Sequence, residues 1–406
     1  MAVYMKLVNQ QLIKNTNLKL LYNSVFHHRG ISRAALARQT GLSRTAVSAL
    51  VDELVETGFL LDSGSGEQEE PSCAAGRKAG RKPNCLEPRS GTHYVLVFGW
   101  EEYAVYAHLA DISGASSDRC SLPRSPSDSY IRLCREHLNQ LFLSGLCREQ
   151  LLGICFVLPA MIDPATRAVF STAISLEADG GEHGILSLLR ESFPGHAVAV
   201  LNDTACAAYA EKVYTSIREK DYAFIRFSRG IGAALFIQDR LLGGACASHT
   251  QFGHFSVSPD GPPCACGNRG CLEVMLREDT LAERFPGKGP PVDYESLGQA
   301  ALYKDADAIH IIRNMAEEFA VALANLICLV HPSLIVLGGR IRLLGPLFPE
   351  EVLKSLHEKS FHRMTETVQI RYSLLDAQAC LNGAMKYFFD QHYQFTTDMS
   401  NTFFIG

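Results

Sequence analysis

The sequence predicts a multidomain α/β protein that begins with a winged helix-turn-helix. Three helical patterns follow one another closely near the N-terminus, a stretch rich in glycine, serine, proline and charge comes next, and strand-like apolar runs recur through the remainder. The 406 residues exceed the usual size of one hydrophobic core, so two or three domains are expected. We expect residues 1–70 to form the winged unit and residues 71–90 to form a linker or wing.

The first two helices are predicted from apolar spacing and capping residues. Asn17 is expected to cap the first helix and Gly30 to end it. Ser32 is expected to cap a short second helix, which closes at the Thr40-Gly41 pair. The apolar side chains of the first helix recur at helical spacing: Leu18, Leu21, Tyr22, Val25 and Phe26. This spacing predicts one buried helix face.

The third helix has one apolar face and one polar face. It is expected to start after the cap Ser43, and its apolar face consists of Val47, Leu50, Val51 and Leu54. A recognition helix presents short polar or basic side chains near its N-terminus to base edges in the major groove. The residues predicted to contact DNA in this way are Ser43, Arg44, Thr45 and Ser48.

The segment after the third helix has the features of a wing. Residues 58–62 (GFLLD) are predicted to be its first strand, and two Gly-Arg-Lys triplets follow at 76–78 and 80–82. An extended Gly-Arg element fits a narrow A·T-rich minor groove, whose negative potential attracts arginine. A solvated basic linker is the alternative. The residues predicted to contact DNA from this segment are Arg77, Arg81 and Lys82.

Charge is distributed unevenly along the chain. Residues 1–50 contain seven basic side chains and no acidic one, and residues 1–92 carry +4 while the remainder carries −9. A basic end on an acidic body indicates that only this end meets a polyanion. Charge alone would fit a solvated face equally well. Its agreement with the helical spacing favours double-stranded DNA as the partner.

Composition argues against a membrane protein and against a secreted one. No apolar run approaches the length of a membrane span, and the N-terminus lacks the pattern of a signal peptide. Most of the 13 cysteines are scattered singly through apolar segments, as buried thiols in a reducing compartment are. We expect a cytoplasmic protein that makes no membrane contact.

One group of cysteines has the spacing of a metal site. One imidazole and three thiolates lie within eighteen residues, with glycines between them that allow tight turns: His254, Cys264, Cys266 and Cys271. A disulfide would suit a secreted protein and would leave His254 unexplained. Four protein ligands close the coordination shell, so we predict a structural Zn²⁺ ion.

Residues 253–273 resemble the signature of the ROK family, which is named for repressors, open reading frames and kinases. The signature is Gly-His, nine further residues and then C-x-C-G-x-x-G-C-x-E, and this stretch matches it throughout. The resemblance implies an actin-like, ribonuclease-H-like sugar kinase fold in two lobes, which we place at 91–215 and 216–406. The repressor branch of the family also carries an N-terminal winged helix-turn-helix and a Gly-Arg-rich linker.

The strand-like runs fit such a duplicated fold. The first predicted hairpin joins residues 94–98 to 104–110, and the second joins 222–227 to 233–237. Further strands are predicted at 151–158, 197–201 and 334–337, with an edge strand at 368–372.

Several residues match the sugar site of the family. Asn202-Asp203 matches its Asn-Asp motif, in which the aspartate of the kinases accepts a proton from a sugar hydroxyl. His254 and Glu273 match residues that line the same pocket, while Gln251 replaces the glutamate of the Glu-x-Gly-His motif. From the residues alone, an Asn-Asp pair is more often a helix cap than a ligand site. The resemblance implies that these five residues bind a sugar or a sugar derivative.

The residues that would hold ATP phosphates depart from the family pattern. The kinases place D-x-G-G-T in the first hairpin, where this sequence has GWEEY at 99–103, and Arg229 replaces the usual hydroxyl in the second phosphate loop. The carboxylates of Glu101 and Glu102 would repel a polyphosphate. Phosphoryl transfer depends on positioned phosphates and metal, so we predict no catalytic residues and no enzyme activity.

These observations predict a sugar-responsive transcriptional regulator, a repressor of carbohydrate genes, whose kinase-like domain senses a ligand without catalysis. One winged helix reads few base pairs, so a homodimer or homotetramer is expected. The alternative is an active sugar kinase fused to a DNA-binding module. A third hypothesis is a regulator that responds to a protein partner instead of a small molecule.

Overall fold

The computed structural model describes residues 10–63, 85–115, 118–246, 250–287, 292–359, 362–376 and 378–406. Within these ranges the chain forms an N-terminal helical unit with a two-stranded wing, a lobe built on a six-stranded sheet and a lobe built on a five-stranded sheet. This is the predicted architecture, a winged helix-turn-helix followed by two α/β lobes.

The N-terminal unit consists of three helices and a wing. Its elements are α1 (Gln10–His27), α2 (Arg33–Thr40), α3 (Arg44–Glu56), β1 (Leu60–Ser63) and β2 (Cys85–Pro88), and the two strands pair antiparallel. The hydroxyls of Ser32 and Ser43 accept hydrogen bonds from the backbone N–H groups of Ala35 and Ala46, each at 3.2 Å, which confirms both predicted caps. Gly41 ends α2 at φ +73°, a conformation that glycine adopts without strain.

The first helix starts earlier than the sequence predicts. It begins at Gln10, so Asn17 lies inside the helix and the predicted cap is wrong. The residues before Asn17 include good helix formers. In addition, Oδ1 of Asn15 accepts a 2.8 Å hydrogen bond from the backbone N–H of Phe395, a tertiary contact that stabilises the early turns. The predicted apolar face is confirmed, because four of its residues are fully buried: Leu18, Leu21, Tyr22 and Val25.

The first lobe is a six-stranded sheet covered by helices. Its strands are β3 (Tyr94–Trp100), β4 (Ala104–Asp111), β5 (Arg119–Pro123), β6 (Leu151–Leu158), β9 (Val198–Asn202) and β15 (Phe403–Ile405), in the order β15-β9-β6-β3-β4-β5. The small hairpin β7 (Met161–Ile162) and β8 (Val169–Phe170) and the helices α4 (Tyr130–Leu143), α5 (Gly181–Ser192) and α6 (Asp203–Tyr214) complete it. Because β3, β6 and β9 run parallel, the β3–β4 turn and the start of α6 lie at the same edge of the sheet.

The second lobe repeats this plan on a five-stranded sheet. Its strands are β10 (Tyr222–Phe227), β11 (Ile231–Ile237), β12 (Arg240–Leu241), β13 (Leu334–Gly339) and β14 (Gln369–Tyr372), in the order β12-β11-β10-β13-β14. Its helices are α7 (Leu272–Leu276), α8 (Glu278–Arg284), α9 (Tyr294–Leu302), α10 (Ala306–Val330), α11 (Leu347–Lys359) and α12 (His362–Thr365). An antiparallel hairpin followed by a parallel neighbour occurs in both lobes, as β3-β4-β6 and as β10-β11-β13.

The strands predicted from the sequence are all present, and β14 is the predicted edge strand. The sequence did not indicate six further strands: β2, β5, β7, β8, β12 and β15. β12 has only two residues and β15 only three, and β5 is largely exposed, so none of them carries a strong alternation of apolar and polar residues.

The C-terminal segment returns to the first lobe. After the second sheet come α13 (Ala379–Tyr387), a π-helical turn (Phe388–His392) and β15, which pairs parallel with β9. A side chain at Gly383 would collide with the carbonyl oxygen of Cys206, so α13 and α6 cross closely. This differs from the expected division, which placed all of 216–406 in the second lobe, because a pairing between distant strands leaves no local pattern.

One apolar core joins the N-terminal unit to the first lobe. Tyr22 and Phe59 pack against Phe389, with ring centroids 4.8 Å and 6.3 Å apart, and the Tyr22 hydroxyl donates a 2.9 Å hydrogen bond to the carbonyl oxygen of Ile112. The N-terminal unit is therefore packed against the lobe. Among the residues described here, no helix combines the length and the apolar character needed to cross a membrane.

Candidate functional site

The N-terminal end of α3 presents the side chains predicted to contact DNA. Arg44 and Thr45 are exposed and Ser48 is half-buried, while Ser43 uses its hydroxyl to cap the helix. Within the described ranges Arg44 has no ion-pair partner. An exposed, unpaired guanidinium at this end of a helix is suited to contact a base edge or a phosphate.

Arg33 is a basic residue of this unit whose charge is used inside the protein. Its guanidinium forms ion pairs with Asp52 of α3 at 2.6 Å and with Asp62 of β1 at 2.8 Å. These contacts join α2, α3 and the wing. The charge count of the sequence treats Arg33 as available to DNA, whereas two carboxylates neutralise it.

The wing residues predicted to enter the minor groove, Arg77, Arg81 and Lys82, lie outside the described residues. The strands on either side are described, and they pair from Leu60 with Pro88 to Ser63 with Cys85. Residues 64–84 therefore connect the two strands of the wing.

Four side chains converge in the loop before α7. The ligand atoms of His254, Cys264, Cys266 and Cys271 all lie within 4.8 Å of one another. The Sγ atom of Cys264 is 3.6 Å from Nδ1 of His254, and the Sγ atoms of Cys266 and Cys271 are also 3.6 Å apart. Ligands about 2.3 Å from one tetrahedral ion are separated by about 3.8 Å. These four residues could therefore hold one metal ion, as the spacing predicts.

Tight turns hold this loop against the second lobe. The backbone N–H of Cys264 donates to the carbonyl of Asn268 at 2.8 Å, and that of Gly267 donates to the carbonyl of Cys264 at 3.0 Å. A side chain at Gly253 would collide with the carbonyl oxygen of Ile231, so the loop lies directly on the β10–β11 hairpin.

Asn202 and Asp203 lie where β9 ends and α6 begins. Oδ1 of Asn202 accepts a 2.9 Å hydrogen bond from the backbone N–H of Ala205, and its Nδ2 donates at 2.9 Å to the carbonyl of Ala160. Asn202 is therefore the N-cap of α6. A helix cap is the alternative to a ligand site that the sequence leaves open for the Asn-Asp pair. Oδ1 of Asp203 accepts from the backbone N–H of Thr204 at 2.6 Å.

Arg226, on β10, is a site residue that the sequence analysis missed. Its guanidinium pairs with Oδ2 of Asp203, and the two side chains are only 13% and 12% exposed. Burial alone would lower the pKa of Arg226, but the carboxylate of Asp203 raises it, so the arginine stays charged. The available signal was one basic residue inside the apolar strand YAFIRF, which has no family motif around it.

The other half of the predicted sugar site also contacts the β10–β11 hairpin. Oε2 of Glu273 accepts a 3.0 Å hydrogen bond from the backbone N–H of Ile231. The hydroxyl of Thr250 donates to the carbonyl of Ala233 at 2.7 Å and anchors the loop that enters the metal cluster. The predicted ligand residues on that loop are Gln251 and His254. Both halves of the predicted site thus adjoin one hairpin, Asp203 through β10 and Glu273 through the turn.

An ion pair joins the β3–β4 turn to the β10–β11 turn, the two turns that the resemblance assigns to phosphate binding. Glu102 of the β3–β4 turn pairs with Arg229 of the β10–β11 turn, and the Arg229 guanidinium lies 5.9 Å from the ring centroid of Tyr103. Arg124 fixes the first turn, because it donates a 2.7 Å hydrogen bond to the carbonyl of Glu102. The carboxylate predicted to repel a polyphosphate therefore has a cation of the protein as its partner.

Known proteins resemble both parts of the chain. A model described as ROK family matches residues 120–391, and one described as winged helix-turn-helix DNA-binding matches residues 14–60. The chain is 24% identical over 386 residues to the xylose repressor of Bacillus subtilis (strain 168), covering 93% of this chain and 95% of that protein. It is also 24% identical over 386 residues to the DNA-binding transcriptional repressor Mlc of Escherichia coli (strain K12), covering 92% of each.

A solved structure agrees with the fold. The crystal structure of a ROK family transcriptional regulator, a homolog of the E. coli MLC protein, superposes with a TM-score of 0.76 at 20% identity, covering 93% of this chain and 97% of that one. The ROK model alone matches more than half of the sequence, and the winged helix-turn-helix model coincides with α1–α3. The chain belongs to the ROK family and joins that family's domain to a winged helix-turn-helix DNA-binding domain.

Proposed function

We propose that this protein is a sugar-responsive transcriptional repressor whose kinase-like lobes bind a ligand without phosphorylating it. The observation that carries the proposal is the Glu102–Arg229 ion pair between the two phosphate-loop turns, in a chain whose α3 presents an exposed Arg44 to DNA. A nucleotide would have to break this pair and then lie beside the freed carboxylate. Phosphoryl transfer requires the opposite arrangement, in which positive charge is directed at the phosphates.

The state of Asp203 also supports a role without catalysis. A general base must have an oxygen within reach of the proton that it accepts. Here Oδ1 accepts from the backbone of Thr204 and Oδ2 pairs with Arg226. In this arrangement Asp203 can still orient a ligand hydroxyl through its remaining lone pairs, which is sufficient for binding.

A neutral polyhydroxyl compound fits the proposed ligand site. Carboxylates accept hydrogen bonds from hydroxyls, while an amide such as that of Gln251 both donates and accepts. Asp203 and Glu273 supply the acceptors from opposite lobes. Similarity along nearly the whole chain to a protein named xylose repressor supports a carbohydrate as the ligand class.

We propose Zn²⁺ as the ion of the four-residue cluster. One imidazole and three thiolates suit zinc, and four protein ligands leave no open coordination position. The ion would therefore be structural. It would hold the loop that carries Gln251 and His254, and the start of α7 with Glu273, against the β10–β11 hairpin.

We further propose that the protein acts as a homodimer or homotetramer. A single recognition helix contacts too few base pairs to select one genomic site, and two-fold symmetric proteins read two half-sites. Light scattering of the full chain tests this directly, and a monomer at micromolar concentration would contradict it.

A fluorescence screen on the full chain tests the proposed ligand response. Trp100 is the only tryptophan in the sequence, and it stacks on Tyr130 at 4.4 Å next to the β3–β4 turn, so its emission reports on the cleft. D-xylose, D-glucose and N-acetyl-D-glucosamine are suitable first probes. We expect one carbohydrate to change the emission saturably, to raise the melting temperature and to change affinity for a selected DNA duplex.

The same preparation decides between the competing functions. With the responding sugar and Mg-ATP, we expect ATP consumption at background. Turnover at roughly 1–100 per second would instead indicate an active kinase. DNA binding without a response to any sugar would favour the regulator that responds to a protein partner. Asp203→Asn should remove the sugar response and retain DNA binding, whereas Asp398→Asn, an exposed matched control, should change neither.

A further inference from the structure

A buried polar cluster joins the DNA-binding unit to α6. Lys386 of α13 is 1% exposed, and its Nζ donates to Oδ1 of Asn23 at 2.8 Å and to Oδ1 of Asp390 at 2.5 Å. Asn23 of α1 donates from Nδ2 to the same oxygen of Asp390 at 3.0 Å. The hydroxyl of Tyr209 in α6 donates to the other oxygen, Oδ2, at 2.7 Å. These four residues are named here the Asp390 cluster.

A second contact from α1 reaches the same point. Nζ of Lys19 donates to the backbone carbonyl of Asp390 at 2.9 Å. Asp390 therefore accepts hydrogen bonds from two residues of the DNA-binding unit, from α13 and from α6. Removing such charges from water is unfavourable, and apolar side chains of similar volume often stabilise a core equally well. Hydrogen bonds are directional, so they fix the relative position of the elements that they join.

The helix α6 extends from this cluster to the proposed ligand site. It begins at the cap Asn202 and at Asp203, and Tyr209 lies between one and two turns further along the same continuous helix. A helix moves approximately as a rigid unit, so a displacement of Asp203 also displaces Tyr209. At the other side of the cluster, α1 packs against α3, which carries Arg44.

We propose that the Asp390 cluster transmits the ligand response, because it couples the position of α6 in the cleft to the position of α1 in the DNA-binding unit. The inference rests on the proposed function. A ligand held by Asp203 shifts α6, the Tyr209 hydroxyl changes its bond to Asp390, and Asn23 and Lys19 carry the change into α1. Coupling between sites must be reciprocal, so a change in α1 also alters α6.

Hydrogen exchange of the full chain tests this coupling without ligand or DNA. Asn23→Ala removes two hydrogen bonds on the α1 side, the one that Asn23 donates to Asp390 and the one that it accepts from Lys386. We expect amide exchange in residues 203–209 of α6 to accelerate about three-fold or more. Tyr209→Phe removes one hydroxyl on the α6 side, and we expect a similar acceleration in residues 18–25 of α1. The control Asn15→Ala breaks a different bond of α1, the one to Phe395, and should leave α6 unchanged.

The two directions together distinguish coupling from local packing. Exchange in α9 of the second lobe serves as an internal reference for global destabilisation. Acceleration confined to α1 and residues 386–390 in Asn23→Ala would overturn the inference, as would an equal effect of Asn15→Ala on α6. The sugar screen tests the proposed function with the unaltered chain, so its failure is recognised separately from a failure of the coupling.

Discussion

At the scale of single residues, Arg226 defines the electrostatics of the cleft. It is almost fully buried against Asp203, whereas Arg229 pairs with Glu102 at side-chain exposures of 57% and 30%. Two arginines three positions apart thus form ion pairs in opposite solvent environments. The cost of losing each pair is expected to differ accordingly, because water screens the exposed pair and not the buried one.

Arg226→Met is predicted to lower the free energy of unfolding by about 3 kcal/mol, because it leaves the Asp203 carboxylate buried without its cation. The matched variant Arg229→Met should cost less than about 1 kcal/mol, since its pair is exposed. Urea unfolding followed by circular dichroism measures both. Adding Asp203→Asn to Arg226→Met should recover much of the loss, and equal losses in the two single variants would contradict this account of the cleft.

Arg44→Ala is predicted to weaken binding to a selected operator about 5- to 100-fold without changing stability, because one good side-chain contact to a base contributes about 1–3 kcal/mol. Electrophoretic mobility shift at fixed salt measures the change. Arg135→Ala, which removes an exposed arginine of α4, controls for net charge and should bind as the unaltered chain does. Unchanged operator affinity in Arg44→Ala would remove α3 as the recognition helix.

At the scale of elements, the loop before α7 has little regular secondary structure to fix its conformation. No helix or strand longer than α7 lies between His254 and Glu278, and the turns close through single backbone hydrogen bonds. Such a segment has little apolar core of its own, since only Cys264, Cys271 and Val274 form a small separate cluster. The ion that we propose for the four-residue cluster would supply the interactions that order this loop.

Cys264→Ser with Cys266→Ser is therefore predicted to lose one zinc per chain and to lower the melting temperature, while the unaltered protein binds one. Elemental analysis of protein purified without chelator measures the metal. Cys328→Ser removes an exposed thiol of α10, outside the loop, and should keep both the metal and the melting temperature. No metal in the unaltered chain, or the same metal content in the double variant, would refute the site.

At the scale of the whole molecule, the C-terminal segment packs against the DNA-binding unit through Phe389 and joins the first sheet through β15, and it contains a half-buried histidine. His392 stacks on Phe404 at 4.4 Å, and Nε2 has no hydrogen-bond partner within the described ranges. Burial, helped by the charge of Lys19, lowers the pKa of His392 from 6.5 to about 4. His108 of β4 is buried in the same sheet, and burial likewise lowers its pKa to about 4.

The free energy of unfolding is predicted to fall as pH falls from 6.5 to 4. In this window the unfolded chain binds a proton at each histidine and the native chain does not, so each contributes a loss of up to about 1.4 kcal/mol per pH unit. His392→Phe keeps the ring stack and removes one titrating group. Urea unfolding at several pH values should therefore give a shallower slope for this variant.

The control for this effect is His183→Phe, which removes an exposed histidine of α5 and should leave the slope unchanged. A slope in His392→Phe equal to that of the unaltered chain would show that the histidine is solvated in the folded protein.

Much of the architecture could be predicted because it depends on neighbours in sequence. The caps Ser32 and Ser43 act on N–H groups three residues away, and the strands of both hairpins alternate or run apolar over their own length. The metal cluster follows the same principle, since its four ligands lie in one short loop whose glycines allow the turns.

Tertiary structure alone decided the features that depend on distant partners. The sequence predicts Asn17 as a cap, but a hydrogen bond between Asn15 and Phe395 stabilises an earlier start of the helix. Arg33 counts as a free positive charge in the sequence, but it forms ion pairs with Asp52 and Asp62. No residue near Arg226 in the sequence indicates its ion pair with Asp203. The return of β15 to β9 is of the same kind. Hydrogen bonds and ion pairs act over a few ångströms in space, so a residue's role in them is set by which chain segments the fold brings together, whereas periodicity, capping and ligand spacing are already complete within one segment.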